Sequence, residues 1–301
     1  MAPFPVGQTE GFSGKTEGNG MQKPQETITS RQNSLITLTA KLSQRKHREA
    51  EGLFRFDGKK LFLEALTADL PLYAVLLRES AVASILAAAE GFSLPRDTRV
   101  AVLPDALFDK LSEEKSPEGV ICIAKRLDKI HKIATIDKWC AENGGLSGAR
   151  VLFLESVRDP GNLGTIIRSA RAFGVHLLVL SEDCADIYNP RVLRAAMGTL
   201  FHQNVLICPD FLAALRTYGK HARVFAATLD ERAVRLGEVA LLSGDAVLVG
   251  NEGHGLSAAA VAAATDTVFI PMEAGVESLN AGIAASVLLW ELYRAGGSHG
   301  A

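Results

Sequence analysis

A chain of 301 residues, 48 % of them hydrophobic, can build two domains with cores of their own, and its formal net charge of -2 excludes a uniformly cationic nucleic-acid binder. Its four cysteines, Cys122, Cys140, Cys184 and Cys208, form no CxxC pair, so no zinc site or disulfide framework is expected and reduced thiols in the cytoplasm fit best. No apolar run reaches the length of a membrane span.

Residues 1–30 are rich in Gly, Thr, Glu and Gln, lack the apolar core of a signal peptide, and read as a disordered leader. Charge is uneven beyond them: between Arg31 and Lys60 eight Lys/Arg stand against three acids. That bias suggests one N-terminal face for a polyanion, with Arg31, Lys41, Arg45, Lys46, Arg48 and Lys59 as candidate contacts; a solvated helix face is the plain alternative. Helices are expected over 34–47, 59–66, 79–90 and 104–111, and strands over 52–56, 72–77, 99–103 and 119–124. Together they make a small α/β domain over 31–124. A polar stretch, 125–148, ends in a Gly-rich run and reads as a linker.

The second domain, 149–297, alternates more cleanly. Strands are expected over 151–157, 175–180, 204–207, 223–228, 245–250 and 267–270, with helices over 162–173, 190–199, 210–218, 256–264 and 279–294. Continuous apolar strands such as Ala246–Val249 indicate burial on both faces, hence a parallel sheet covered by helices. Ligands on such sheets bind beyond the carboxyl ends of the strands, where three loops stand out.

In the first loop, Asp159-Pro160-Gly161 makes a turn, Asn162 is a good helix cap and Gly174 a good terminator, leaving Arg168 and Arg171 off the buried stripe. The second, Gly250-Asn251-Glu252-Gly253-His254-Gly255, puts three glycines after a buried strand but has neither the dinucleotide G-x-G-x-x-G spacing nor the Lys-Ser/Thr ending of a P-loop. Glu252 there either contacts a ligand or braces the loop, and a metal role for His254 is not expected. In the third, a strand stops at Pro271 and a helix starts at Ser278-Leu279-Asn280, with Ser278 able to cap it. Gly282 inside that helix costs about 1 kcal/mol relative to Ala, which points to a close approach by something.

In this order and spacing the loops resemble the SpoU family of the SPOUT superfamily, S-adenosylmethionine-dependent RNA 2′-O-ribose methyltransferases. Asn162-x-Gly164-x3-Arg168-x4-Phe173-Gly174 is similar to its first motif, Gly250 to Ser257 to its second, and Ile270-Pro271-Met272 with Ser278-Leu279-Asn280 to its third. The first domain resembles the family's N-terminal RNA-binding module, of ribosomal-protein type, through the 29–33 entry, Glu51-Gly52-Leu53-Phe54 with Asp57-Gly58, and Leu111-Ser112 with the 116–120 run. Ala281-Gly282 stand where the family commonly has Val-Ser, and Thr37 where it often has a basic residue.

The resemblance implies an α/β fold with a deep trefoil knot in the C-terminal domain, a homodimer packed through C-terminal helices, and no metal. It implies Asn162, Arg168, Glu252, Ser278 and Asn280 as the catalytic set, and S-adenosylmethionine held near Thr228, Leu229, Gly250, Asn251, Ile270, Met272 and Leu279. Arg171 joins the N-terminal basic residues as an RNA contact. Because guanidinium stays protonated, Arg168 reads as a fixed cation beside the target hydroxyl rather than a base, with Asn162 orienting Arg168 or the ribose and Glu252 positioning Arg168 or the substrate. The separate N-terminal module favours ribosomal RNA as substrate. Transfer RNA, a non-catalytic RNA-binding role and a nucleotide-dependent α/β enzyme are the alternatives. Close packing at Gly282, in a knot or across a dimer, stays open.

Overall fold

The computed structural model describes residues 24–127, 135–142, 149–230, 232–242 and 244–295. Its N-terminal domain runs β1 (Glu26–Thr27), α1 (Ser34–Lys41), α2 (Arg45–Glu51), β2 (Leu53–Asp57), α3 (Lys59–Thr67), β3 (Leu72–Arg78), α4 (Val82–Ala88), β4 (Arg99–Leu103), α5 (Asp105–Leu111) and β5 (Val120–Lys125). The sheet order is β1-β4-β3-β5-β2, parallel from β1 to β3 and antiparallel at β5. The expected leader is corrected from residue 24 onward, because β1 pairs with β4 at Glu26 and Thr27. Residues 1–23 lie outside the described residues.

The expected helix over 34–47 is two helices. Arg48 reaches back and donates to the carbonyls of Leu42 (2.8 Å) and Ser43 (2.7 Å), satisfying acceptors left open where α1 ends. Apolar periodicity carries no trace of such a contact. Arg55 is likewise removed from the basic face: it is 2 % exposed, pairs with Asp57 at 2.6 Å and donates to the carbonyls of Thr39 and Leu111.

The linker is not structureless. It contains α6 (Ile136–Glu142), whose Ile136 and Trp139 are buried in the core of the second domain. Residues 128–134 and 143–148 lie outside the described residues.

The C-terminal domain runs β6 (Val151–Leu154), α7 (Pro160–Ala172), β7 (Leu177–Ser181), α8 (Pro190–Ala196), β8 (Val205–Cys208), α9 (Phe211–Gly219), β9 (Val224–Ala227), β10 (Val234–Arg235), β11 (Ala246–Val249), α10 (Ala258–Ala263), β12 (Asp266–Phe269) and α11 (Ala281–Ala295). All seven strands are parallel, in the order β10-β12-β9-β11-β6-β7-β8. Residues 151–154 and 246–249 are buried throughout, as expected for strands covered on both faces. The expected helix over 190–199 breaks at Met197 (φ 53°) and Gly198 (φ 83°) and resumes as a 3-10 turn, Thr199–His202. The two-residue β10 carries too short a pattern to be read from sequence. The chain leaves β6 toward β7 and β8, then returns beyond it to β9, so the order reverses where β6 and β11 lie side by side. That is where open α/β sheets bind ligands.

After β12 the chain comes back to lay α11 against α7 and β11, the return that the expected knot requires. Gly282 lies at this contact. A Cβ added there would stand 3.2 Å from Thr165 Cγ2 and 3.1 Å from Asn280 Oδ1, so the close approach is to α7 of the same chain. One turn on, Ser286 and Ser169 hydroxyls meet at 2.7 Å.

The two domains share one continuous apolar core. Phe54 of β2 packs on Tyr188 (ring centroids 4.8 Å apart), and Phe56 on Phe201 (5.3 Å). Such pairs contribute about 0.5–1.5 kcal/mol each beyond area burial. Beside them Arg48 forms an ion pair with Asp186 at 2.6 Å.

Candidate functional site

The loops after β6, β11 and β12 meet at the strand reversal. In the first, Asp159 rather than Asn162 caps α7: its Oδ1 accepts from the Asn162 backbone at 2.7 Å, with Pro160 at the first helical position. Asn162, displaced into the first turn, has its amide free for other work. In the third loop the cap is Asn280, not Ser278. Asn280 Oδ1 accepts from the backbones of Gly282 (2.9 Å) and Ile283 (3.3 Å).

These two corrections create the central feature of the site. With its oxygen committed to the cap, Asn280 donates through Nδ2 to Asn162 Oδ1 at 2.8 Å. Asn162 must then present its own Nδ2 outward, and it donates to Glu252 Oε1 at 3.0 Å. Three residues from three loops form one directional chain, in which every amide orientation follows from the one before. Glu252 also accepts from the backbones of Arg158 and Asp159, so it braces the first loop.

Further contacts that no sequence pattern signals fix the loops. Glu155 accepts from both the backbone (2.8 Å) and the hydroxyl (2.7 Å) of Ser257, spanning β6 and β11. Asn251 donates to the Ser156 carbonyl at 2.7 Å and accepts from the Gly253 and His254 backbones, so its side chain is committed within the protein. Ser156 sits at φ 56° and donates to Asp183, which also holds Arg158 at 2.9 Å. Partial burial raises the Asp183 carboxyl, but the hydrogen bonds from Ser156, Ser181 and Arg158 outweigh it and bring the pKa to about 2.

Between the second and third loops lies a cleft of about 530 Å³, a size typical of small-molecule sites. All seven residues expected to hold a cofactor line it: Thr228, Leu229, Gly250, Asn251, Ile270, Met272 and Leu279. Glu252 and Ser278 line it as well, joined by His254 and Glu277. The Thr228 hydroxyl is buried there without a hydrogen-bond partner, a polar atom awaiting a ligand. A Cβ on Gly250 would stand 2.5 Å from the Gly255 backbone, which explains why glycine carries the turn. The lining holds the carboxylates of Glu252 and Glu277 and no Lys or Arg, a charge balance suited to a ligand bearing positive groups. No group of three or more His, Cys, Asp or Glu that could hold a metal occurs among the described residues.

Asn162 and Asn280 stand beside the cleft, tied to its wall through Glu252. Arg168, two turns into α7, is exposed and makes no hydrogen bond or ion pair to the described residues. Of the alternatives for Asn162 and Glu252, holding Arg168 is corrected, because they bond to each other and Asn162 to Asn280, which leaves positioning of the ribose or substrate.

The candidate RNA contacts divide. Arg31, Lys41, Lys46 and Arg171 are exposed, Lys59 is half-buried, and Arg45 is exposed but paired with Glu49 at 2.7 Å. Arg48 is not on that surface. It is 3 % exposed and spent on Asp186 and the end of α1.

An all-parallel α/β domain with a strand-reversal cleft, a returning C-terminal helix and a separate N-terminal domain defines the class of the SPOUT methyltransferases. The chain belongs to the SpoU rRNA methylase family, which matches residues 149–290, and residues 33–122 match the MRM3-like substrate binding domain. It is 31 % identical to a Synechocystis sp. protein described as an uncharacterized tRNA/rRNA methyltransferase, over 89 % of this chain and 93 % of that one. It is 28 % identical to the 23S rRNA (guanosine(2553)-2'-O)-methyltransferase of Bacillus subtilis, over 88 % and 98 %. Among solved structures, the SpoU methyltransferase AviRb of Streptomyces viridochromogenes in complex with AdoMet superposes with a TM-score of 0.70 at 26 % identity, covering 87 % of this chain and 97 % of that one.

Proposed function

We propose that the protein transfers a methyl group from S-adenosylmethionine to a ribose 2′-hydroxyl of ribosomal RNA. The observation that carries this reading is the chain Glu252–Asn162–Asn280, which joins all three loops at the wall of a cleft lined by every expected cofactor residue. The related proteins that act on 23S rRNA, and the AdoMet complex of a relative, support it.

The cofactor, when bound, supplies an electrophilic methyl group and leaves as a neutral thioether. The Thr228 hydroxyl and the backbone around Gly250, Ile270, Met272 and Leu279 would hold it, with the carboxylate of Glu277 facing its positive charge. A ribose hydroxyl is a weak nucleophile until its proton is lost. Arg168, exposed and without a carboxylate partner, is the fixed cation that grips the adjoining phosphate and favours loss of that proton to solvent. Asn162 and Asn280 position the ribose, and Ser278 lines its approach.

The protein works as a homodimer in this reading. Ile283 (53 % exposed), Val287 and Trp290 (47 % exposed) fall at i, i+4 and i+7 on α11, an apolar stripe that a second copy would cover. Its expected place of action is the cytoplasm; no helix among the described residues is long and apolar enough to cross a membrane.

The deciding experiment supplies labelled S-adenosylmethionine and unmodified ribosomal RNA, then maps the 2′-O-methyl nucleotide. Label in one rRNA position is expected. Label in transfer RNA alone would redirect the substrate, and none in any RNA, with no cofactor-induced thermal shift, would leave a binding protein. Sedimentation of an Ile283→Glu variant, expected to run as a monomer, tests the dimer.

A further inference from the structure

Nine arginines form ion pairs among the described residues, and several exposed ones elsewhere, such as Arg216 and Arg235, do not. Arg48, Arg55, Arg78, Arg99, Arg158 and Arg223 each hold a carboxylate within 3.0 Å. Four on the packed pair α7 and α8 do not. Arg168, Arg171, Arg191 and Arg194 are all exposed and make no hydrogen bond or ion pair to the described residues. Residues 160–180 and 187–206, which span both helices, contain those four arginines and no Asp or Glu.

The helices are in backbone contact. A Cβ on Gly164 would fall 2.5 Å from Ala195 Cβ and 2.6 Å from the Val192 carbonyl oxygen, so only glycine lets α8 come this near. Arg168 lies one turn beyond Gly164, and Arg191 one turn before Ala195, each on the side of its helix that carries the contact. Arg171 and Arg194 follow at i+3. One acid that acts on this face is Glu114 of the N-terminal domain. Its carboxyl is raised by burial and by Asp57, and Arg194 acts against that rise. Four guanidinium groups thus crowd one face of a packed helix pair whose own residues supply no carboxylate.

We infer that this face is an RNA-phosphate platform, in which Arg191 and Arg194 extend the grip of Arg168 and Arg171 along the substrate backbone. The inference rests on the RNA methyltransferase reading and adds two residues to it. Guanidinium forks suit phosphodiester oxygens, and such contacts fix register without reading sequence. Arg168 lies six residues, about 9 Å of helix, beyond Asn162, so the platform begins at the site itself.

The test uses the full chain carrying Arg191→Gln with Arg194→Gln, titrated with an unmodified ribosomal RNA fragment at a series of salt concentrations. Affinity near 0.1 M salt is expected to fall by roughly tenfold or more, and the slope of log K against log salt to become shallower by about 1.4, the loss of two single-strand phosphate contacts. S-adenosylmethionine binding, the melting midpoint and kcat at saturating RNA stay at wild-type values while KM for RNA rises. The paired Lys variant recovers the slope, since it keeps the charge. A Gln variant with wild-type slope and KM, in a protein that does methylate RNA, overturns the platform alone. A wild-type protein that transfers no methyl group overturns the reading beneath it.

Discussion

Asn280 donates to Asn162 across 118 residues of sequence while its own oxygen caps α11, so one side chain both starts a helix and orients the site. The two duties separate by substitution. Asp caps as well as Asn but has no N–H to offer Asn162. Asn280→Asp is therefore expected to melt near the wild type and to lose methyl transfer. Asn280→Ala is expected to lose both, with about 1 kcal/mol of stability gone with the cap. Melting curves and turnover measured on the same samples distinguish the outcomes, and equal turnover in both variants and wild type would remove Asn280 from the site.

Arg168 supports no fold. Its Ala variant is expected to change stability by no more than about 0.5 kcal/mol, as for exposed side chains without partners, and to abolish transfer. Arg168→Lys discriminates its role: a fixed cation leaves the pH–rate profile unshifted at reduced rate, whereas a base would introduce an ionisation near that of lysine.

Two helix glycines predict different costs. An added Cβ at Gly164 meets Ala195 Cβ and the Val192 carbonyl at 2.5 and 2.6 Å, one of them backbone. Gly164→Ala is expected to destabilise by about 3 kcal/mol, as an overpacked core does. At Gly282 the neighbours are the side chains of Thr165 and Asn280 at 3.1–3.3 Å, and the helix gains about 1 kcal/mol in propensity. Gly282→Ala should leave stability within about 1 kcal/mol of wild type while pushing Asn280 and lowering turnover. Chemical denaturation measures both.

The Asp183 clamp sets a pH window. With a folded pKa near 2, below the ordinary 3.8, Asp183 contributes stability that is complete above the unfolded value and fades as pH falls from about 4 toward 2. The difference in melting midpoint between wild type and Asp183→Asn should therefore be the same at pH 5 and pH 8. A difference that shrinks between those values would contradict the assigned ionisation.

Much of this was legible beforehand, for identifiable reasons. Strands 151–154 and 246–249 are unbroken apolar runs because helices cover both faces of the sheet, and burial of that kind is written in composition. The loops around the cleft were legible because glycines and a strand-ending proline mark a backbone that turns near a ligand, whereas the individual cofactor residues followed only from the family resemblance. What failed was local capping and charge placement. Asn162 and Ser278 looked like caps, yet Asp159 and Asn280 serve. Arg48 and Arg55 looked like surface charges, yet each is buried against a carboxylate. A short polar side chain has several backbone donors within reach, and a charged one can be satisfied by a partner far along the chain; single-chain pattern distinguishes neither.

The sequence by itself determined two α/β domains, a parallel C-terminal sheet and three loops at its carboxyl edge, because periodicity and turn chemistry act over a few residues. The tertiary structure alone decided that those loops are wired as Glu252–Asn162–Asn280, that Arg168 stands apart from that chain, and that Gly282 yields to Thr165. Each of these depends on groups 90 or more residues apart coming within a few ångströms, and only the packing of α7 against α8, α11 and the sheet brings them there.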